Sequence, residues 1–234
     1  SDSAVLDRED VNPNGHAAQV LPKGRKSPAE IVADLLPRLV RYRVKCVGAT
    51  PLLMDPMDEQ TMQNLQTGAR PDLAAKKATP MKEQAAAKVY RDPKGEIALP
   101  AQNLYAALNG AGRLVPYDAK RKIASADASL LYTFMNIEDE WLPLTGSQEW
   151  VPDRRRGVLA VSGTAVPIIR PKFDDWGFEV TFTLDDKETV KIDKVLQLFK
   201  IAGNGMGLGS FRPSCKGPFG QFRVVACEEI PFER

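Results

Sequence analysis

The densest chemical signal in the chain is the glycine-rich run GNGMGLGSFRPSCKGPFGQF at residues 203–222. Six glycines, Gly203, Gly205, Gly207, Gly209, Gly217 and Gly220, fall within 18 positions. A turn of a few residues does not need that density, and the absence of side chains lets a backbone run close to another chain. Such a loop presents N–H groups to anions, and Arg212 and Lys216 within it add positive charge. The chemistry on offer is therefore the grip of an extended phosphate backbone. Dinucleotide and Walker loops also use glycines, but they follow a strand and open a helix, and the Walker loop carries Gly-Lys followed by Ser or Thr. Here the run follows a helical pattern and precedes a strand pattern, with no such tripeptide, so both are excluded.

Other chemistry is sparse. Three further basic groups could form electrostatic footprints for nucleic acid: Lys120, Arg121 and Lys122; Arg154, Arg155 and Arg156; and Arg170 with Lys172 in RPKFDDW. The single histidine, His16, lies in a polar N-terminal stretch, which leaves no Ser-His-Asp or Cys-His set in the core and no carboxylate-histidine metal cluster. No cofactor or metal is expected. The three cysteines, Cys46, Cys215 and Cys227, are odd in number and lack CxxC spacing, which argues against a zinc knuckle and a disulfide framework and for a reducing compartment. With 32 Lys+Arg against 30 Asp+Glu, the net charge is only +2, so any polyanion surface must arise by local clustering. No apolar run is long enough to span a bilayer, and the first residues do not read as a signal peptide; a cytoplasmic protein without membrane contact is expected.

Hydrophobic periodicity supplies the elements that must position these groups. Residues 1–38 read as a partly disordered extension with one helical piece, SPAEIVADLL, capped by Ser27 with Pro28 in its first turn. A domain over 39–234 follows, with insertions at about 52–90 and 144–165. LVRYRVKCV alternates Val40, Tyr42, Val44 and Cys46 with Arg41, Arg43 and Lys45, a half-buried strand whose solvent face would be basic. The 52–90 insertion lacks apolar periodicity and is expected to be mobile. EIALP reads as extended and AQNLYAALNGAGRLV as a core helix, with Leu104, Ala107, Leu108 and Ala111 on one face and an end near Gly112. SLLYTFMNI and EDEWLPL read as extended, and Thr145–Thr164 as a long hairpin. WGFEVTFTL places Trp176, Phe178, Val180, Phe182 and Leu184 on one strand face. TVKIDKVLQLFKIAG is a helix capped at Thr189 and stopped at Gly203. GQFRVVAC closes the chain as a strand with Phe222, Val224 and Ala226 on one face. Strand, helix, strand, strand, helix, strand is the order of an α+β, ferredoxin-like or RRM-like antiparallel sheet with helices on one face and a protruding hairpin.

Three stretches resemble the RAMP superfamily, the RRM-like backbone proteins of CRISPR effector complexes. IAGNGMGLGSFRPSCKGPFGQFRV is similar to its C-terminal glycine-rich loop and last strand. KCVGATPLLM resembles its first strand and "TPLL" turn, and EIALPAQNLYAALNGAGR its "IPGSSLKGALR" strand-to-helix segment. By this resemblance Arg113 matches the closing arginine, and Asn103 supplies a polar group at the helix start that could meet a phosphate. Tyr105 stands where the family has an RNA-contacting lysine. The resemblance implies an RNA-binding subunit that oligomerises with copies of itself along a guide RNA. Its partners would be the complementary target nucleic acid and other effector subunits, and its 145–164 hairpin would kink the guide.

Some members cut RNA with an aspartate in the loop after the first strand, where Asp55 and Asp58 lie here. Those residues read more readily as helix-capping or solvated carboxylates, because Asp at such a boundary is common. An endoribonuclease of the same fold and a guide-independent single-strand-binding or structural protein of a phage are the alternative readings.

Overall fold

The computed structural model of the protein describes residues 26–57, 59–68, 78–158 and 165–232. His16, Asp58 and the 159–164 connection lie outside the described residues. The chain divides into two compact units, with the boundary between Pro37 and Arg38. The described part of the first is α1 (Pro28–Leu35), where Ser27 and Glu30 form a reciprocal capping box and Pro28 opens the helix.

The second unit carries both sheets and the remaining helices. β1 (Leu39–Gly48) leads through a tight connection to β2 (Leu52–Leu53), then to α2 (Glu59–Thr67) and α3 (Met81–Ala86). β3 (Ala98–Pro100) runs directly into α4 (Ala101–Gly112), with Pro100 at its cap position. After α5 (Leu131–Phe134) come β4 (Met135–Ile137), β5 (Trp141–Thr145), β6 (Val151–Val158), β7 (Ala165–Phe173) and β8 (Gly177–Asp185). α6 (Ile192–Ile201) and β9 (Phe222–Ile230) complete the unit.

The main sheet has the order β3-β5-β8-β1-β9, with β4 also on β8, and its neighbours pair antiparallel. The first strand in sequence thus lies centrally between the third and fourth of the βαββαβ unit, the ferredoxin-like, RRM-like arrangement expected. Val44 and Cys46 of β1 and Phe178, Val180, Phe182 and Leu184 of β8 are buried with Leu104 and Leu108 of α4 and Val195, Leu198 and Phe199 of α6 in one apolar cluster. The rings of Phe182 and Phe199 stand 6.0 Å apart. Trp176 belongs to this core, and its indole N–H donates to Thr50 O at 2.8 Å. A second sheet, β2-β7-β6, is built on the hairpin and joins it to the start of the 52–90 segment.

Several expectations are corrected. The 52–90 segment is built into the fold at both ends: Leu52, Leu53 and Met54 are fully buried, β2 pairs with β7, and Ala85 and Val89 are buried. The outward face of β1 is charge-balanced, not basic: Arg41 reaches Glu138 at 2.8 Å, Arg43 reaches Glu228 at 3.3 Å and Lys45 reaches Glu179 at 3.6 Å. SLLYTFMNI is extended only over β4. Its first half coils because Ser129 Oγ accepts from Leu131 N and Thr133 Oγ1 donates to Leu130 O, side-chain bonds that compete with a strand ladder.

Thr189 does not cap α6, which begins three residues later with Lys191 in the cap position, while Thr189 bonds to Tyr117. Nor does Gly203 stop the helix. The chain widens into a π turn over Ala202–Met206, closed by Gly207 N donating to Ala202 O at 2.8 Å, and reverses at Gly207 with φ +70°. In β9 a bulge places Val224 opposite Cys46 and Ala226 opposite Lys45. The extra residue, Val225, moves Ala226 off the Phe222 and Val224 face.

Candidate functional site

The glycine-rich loop packs down on the connection between β1 and β2. Ser210 N donates to Leu53 O at 2.7 Å, Gly220 N to Pro51 O at 2.8 Å and Gln221 N to Thr50 Oγ1 at 3.0 Å. Leu208 N donates to Gly220 O at 2.8 Å, closing the loop on itself. Most of the glycines serve this self-packing. A Cβ would lie 2.1 Å from Phe222 O at Gly203, 2.3 Å from Leu53 O at Gly209, 1.9 Å from Phe211 O at Gly217 and 1.9 Å from Leu208 O at Gly220. The chain that approaches these backbones is the protein's own. Gly205 differs: it is exposed on the π turn, and a Cβ there would meet nothing within 4 Å.

Three elements distant in sequence meet beside the loop at a cavity of ≈ 180 Å³, lined among others by Asp55, Asn103, Gly207, Gly209, Ser210 and Arg212. Asn103 reaches it from the first turn of α4, and Asp55 from the segment after β2. Arg212 is held over the loop by Nη1 donating to Gly209 O at 2.7 Å. The backbone N–H groups of Gly209 and Arg212, both on the wall, have no hydrogen-bond partner among the described residues. A wall that includes Arg212, Asn103 and two residues whose backbone N–H groups are unpaired suits an anion or a polar group of a larger ligand.

Asp55 is engaged on both sides. Lys88 Nζ lies 2.6 Å from Oδ1 and Arg170 Nε 2.7 Å from Oδ2, all three side chains being largely covered. The triad carries one net positive charge, and Arg170 acts through it as a brace for Asp55. Lys88 was not legible as part of a site, because nothing in a sequence announces a partner 33 residues away.

The remaining predicted residues separate into groups. Arg154, Arg155 and Arg156 are exposed on β6 and line a second hollow of ≈ 310 Å³ on the hairpin. Arg155 is bidentate to Asp153 at 2.7 and 3.0 Å and lies over the ring of Phe219, 4.5 Å from its centroid, which couples the hairpin to the glycine-rich loop. Lys172, on β7, pairs with Asp174 at 3.1 Å. Lys216 is exposed with φ +61°. Lys120, Arg121 and Lys122 form a turn organised by Asp118, whose carboxyl is held down at about 2, first by the backbone N–H of Lys120 and then by Arg121. Arg113 ends α4 in solvent. Tyr105 turns its hydroxyl inward to accept from Ile137 N at 2.6 Å, and burial raises its pKa. Two aromatic residues escaped the sequence reading: Phe211, between Ser210 and Arg212, and Phe219, which look in the sequence like ordinary apolar spacers.

The fold defines an RRM-like α+β protein with a basic loop site. No family model matches the chain, and no curated protein matches it in sequence. Among solved structures, the chain is similar to a subunit in a cryo-EM structure of the type III-B Cmr-beta assembly bound to cognate target RNA, with a TM-score of 0.50 and 15% identity. The match covers 86% of this chain and 63% of that one, so the protein spans less than two thirds of its neighbour. At this identity the likeness is one of fold. No helix among the described residues is long and apolar enough to cross a membrane.

Proposed function

We propose that this chain is an RNA-binding backbone subunit of an RNA-guided, CRISPR-type effector complex, gripping guide phosphates at the glycine-rich loop and oligomerising along the guide. The observation that carries the reading is that Arg212, Asn103 and Gly209 line one cavity beside the glycine-rich loop, the two loop residues, Gly209 and Arg212, having backbone N–H groups unpaired among the described residues. The likeness in fold to a subunit of an RNA-bound Cmr assembly supports it. In such a role the protein reads phosphates and strand shape while base pairing reads sequence. Its partners are then guide RNA, complementary target nucleic acid, copies of itself and other effector subunits. Cleavage through Asp55 has less support, because Lys88 and Arg170 engage both its oxygens.

The test is purification without nuclease, followed by sizing of co-purifying nucleic acid and native mass spectrometry. The expected result is RNA of defined length with a ladder of protein copies on it. Arg212→Ala combined with Lys216→Ala should weaken binding of single-stranded RNA about tenfold or more at a temperature where circular dichroism shows the variant still folded, beyond the small stability loss expected from removing the Arg212 bond to Gly209 O. Monomeric protein free of RNA, with no affinity for single strands, overturns the reading.

A further inference from the structure

Phe211 carries a conformation that aromatic residues avoid. Its φ is +51°, and Lys216 is the other non-glycine residue with positive φ among the described residues. A bulky residue in the left-handed region is strained, and such strain persists only where its surroundings over-determine it. They do so here. Ser210 is tied to Leu53 O on one side, and Arg212 to Gly209 O on the other. The carbonyl of Phe211 accepts from Phe219 N at 3.3 Å, and Gly217 lies so close that a Cβ would stand 2.6 Å from Cδ2 of the Phe211 ring.

This holds a phenyl ring at the surface. Phe211 is 39% exposed and Phe219, its inner neighbour at 6.0 Å, is 8% exposed. The guanidinium of Arg155 lies over Phe219, the tilted neighbour of the outer ring, so a cation joins the same aromatic pair. Arg212 follows Phe211 directly in the chain, and Lys216 comes one residue before Gly217 at its ring. Packing alone does not explain the arrangement, since an apolar ring in a relaxed turn would cover itself at lower cost. A partly exposed ring on a loop that also carries Arg212 and Lys216 is what stacking a nucleobase requires, with cations of the same loop available to the flanking phosphates.

We infer that Phe211 is a stacking platform for one nucleobase of the single strand held at the glycine-rich loop. The inference rests on the proposed function and adds to it a contact to a base. Any base has a face to stack, so the contact tolerates every sequence and suits a guide whose bases differ from one position to the next.

The experiment uses the full chain with short single strands in which 2-aminopurine, whose fluorescence is quenched on stacking, or an abasic site replaces one position at a time, in RNA and in DNA of the same sequence. Phe211→Asn keeps a residue that tolerates positive φ but removes the ring, Phe211→Leu keeps apolar bulk, and Phe211→Tyr restores an aromatic face. Wild-type protein should quench 2-aminopurine at a defined position and lose roughly tenfold in affinity when that position is abasic. The Asn and Leu variants should show the same loss on intact strands, no further loss on abasic ones and an unchanged salt dependence, and Tyr should recover wild-type binding. RNA and DNA should respond alike. Variants without the ring that bind as wild type overturn the inference, as does an altered self-association in the absence of nucleic acid with affinity intact, which would make the ring a protein contact. If wild-type protein binds neither strand, the proposed function itself has failed; if it binds and the Arg212 and Lys216 substitutions weaken it while the Phe211 variants do not, the proposed function stands and the stacking platform does not.

Discussion

Gly203 and Gly205 stand two residues apart in the same run, yet their surroundings ask different things of them. Gly203 lies against the carbonyl of buried Phe222, and a methyl group there would sit 2.1 Å from that oxygen. Gly203→Ala should therefore lower stability by about 3 kcal/mol, read as a shifted urea midpoint with unchanged slope. Gly205 meets nothing. Gly205→Ala should leave stability level or raise it by about 0.5 kcal/mol, because alanine restricts the unfolded chain, while lowering affinity for single-stranded RNA severalfold if a strand passes over that turn. Equal destabilisation by both substitutions would contradict this division of labour. A second residue-scale expectation concerns Asp139, whose carboxylate accepts from Thr181 N at 2.6 Å but whose pKa is raised, chiefly by burial. A carboxyl that holds its proton more tightly when folded makes the folded state lose stability as pH rises from the ordinary carboxylate range through the raised value. Asp139→Asn keeps an acceptor for Thr181 and removes the charge, so its melting temperature should exceed that of wild type near neutral pH and converge with it in acid.

At the scale of elements, the Asp55 bridge joins the segment after β2, the segment after α3 and β7, since Lys88 and Arg170 come from the latter two. Asp55→Ala would leave two largely covered cations without their counter-ion, at about 2–3 kcal/mol, and should loosen the floor of the cavity as well as lower the melting temperature. Double substitution of Asp55 and Arg170 by Ala and Met should recover part of the loss, whereas a carboxylate with no bracing role would show no such recovery. The bridge also marks where reading a sequence ends. β8 and α4 were legible because each carries its own period, and so was the glycine-rich loop, since helix and strand patterns bracket it. The bulge at Val225 was not, because one inserted residue changes which side chains face the core without changing composition. The ion pairs that neutralise β1 were equally hidden: Arg41 and Glu138 are 97 positions apart and meet only once β4 has joined β8. The same limit applied to the cavity. Asn103 and Arg212 were each visible as polar groups near backbone turns, but their convergence, and the burial of most glycines against the protein's own carbonyls, required the assembled sheet.

For the whole molecule, the net charge of +2 and the paired charges on the open face of the sheet mean that attraction for a polyanion must be concentrated where cations stand without carboxylate partners. On β1 and β8, the two central strands, the residues on that face include no aromatic on which a base could stack. The sides of its strands that bear Arg41, Arg43 and Lys45 and, on β8, Glu179, Thr181 and Thr183 leave the loop end of the molecule as the electrostatic site. Arg154 and Arg156 on the hairpin and Arg212 and Lys216 on the loop are four cations of that region that no carboxylate holds among the described residues. If these four neutralise phosphates of a single strand, the logarithm of the binding constant should fall with the logarithm of salt concentration at a slope of about −3. Each alanine substitution among them should flatten the slope by somewhat under one unit, whereas replacing Lys120 and Lys122, on a turn organised separately by Asp118, should leave it unchanged. A slope near zero would mean that the strand is held without phosphate contacts. A slope that responds to Lys120 and Lys122 as strongly as to Arg212 and Lys216 would mean that the path of the strand runs across the α4 end of the domain instead.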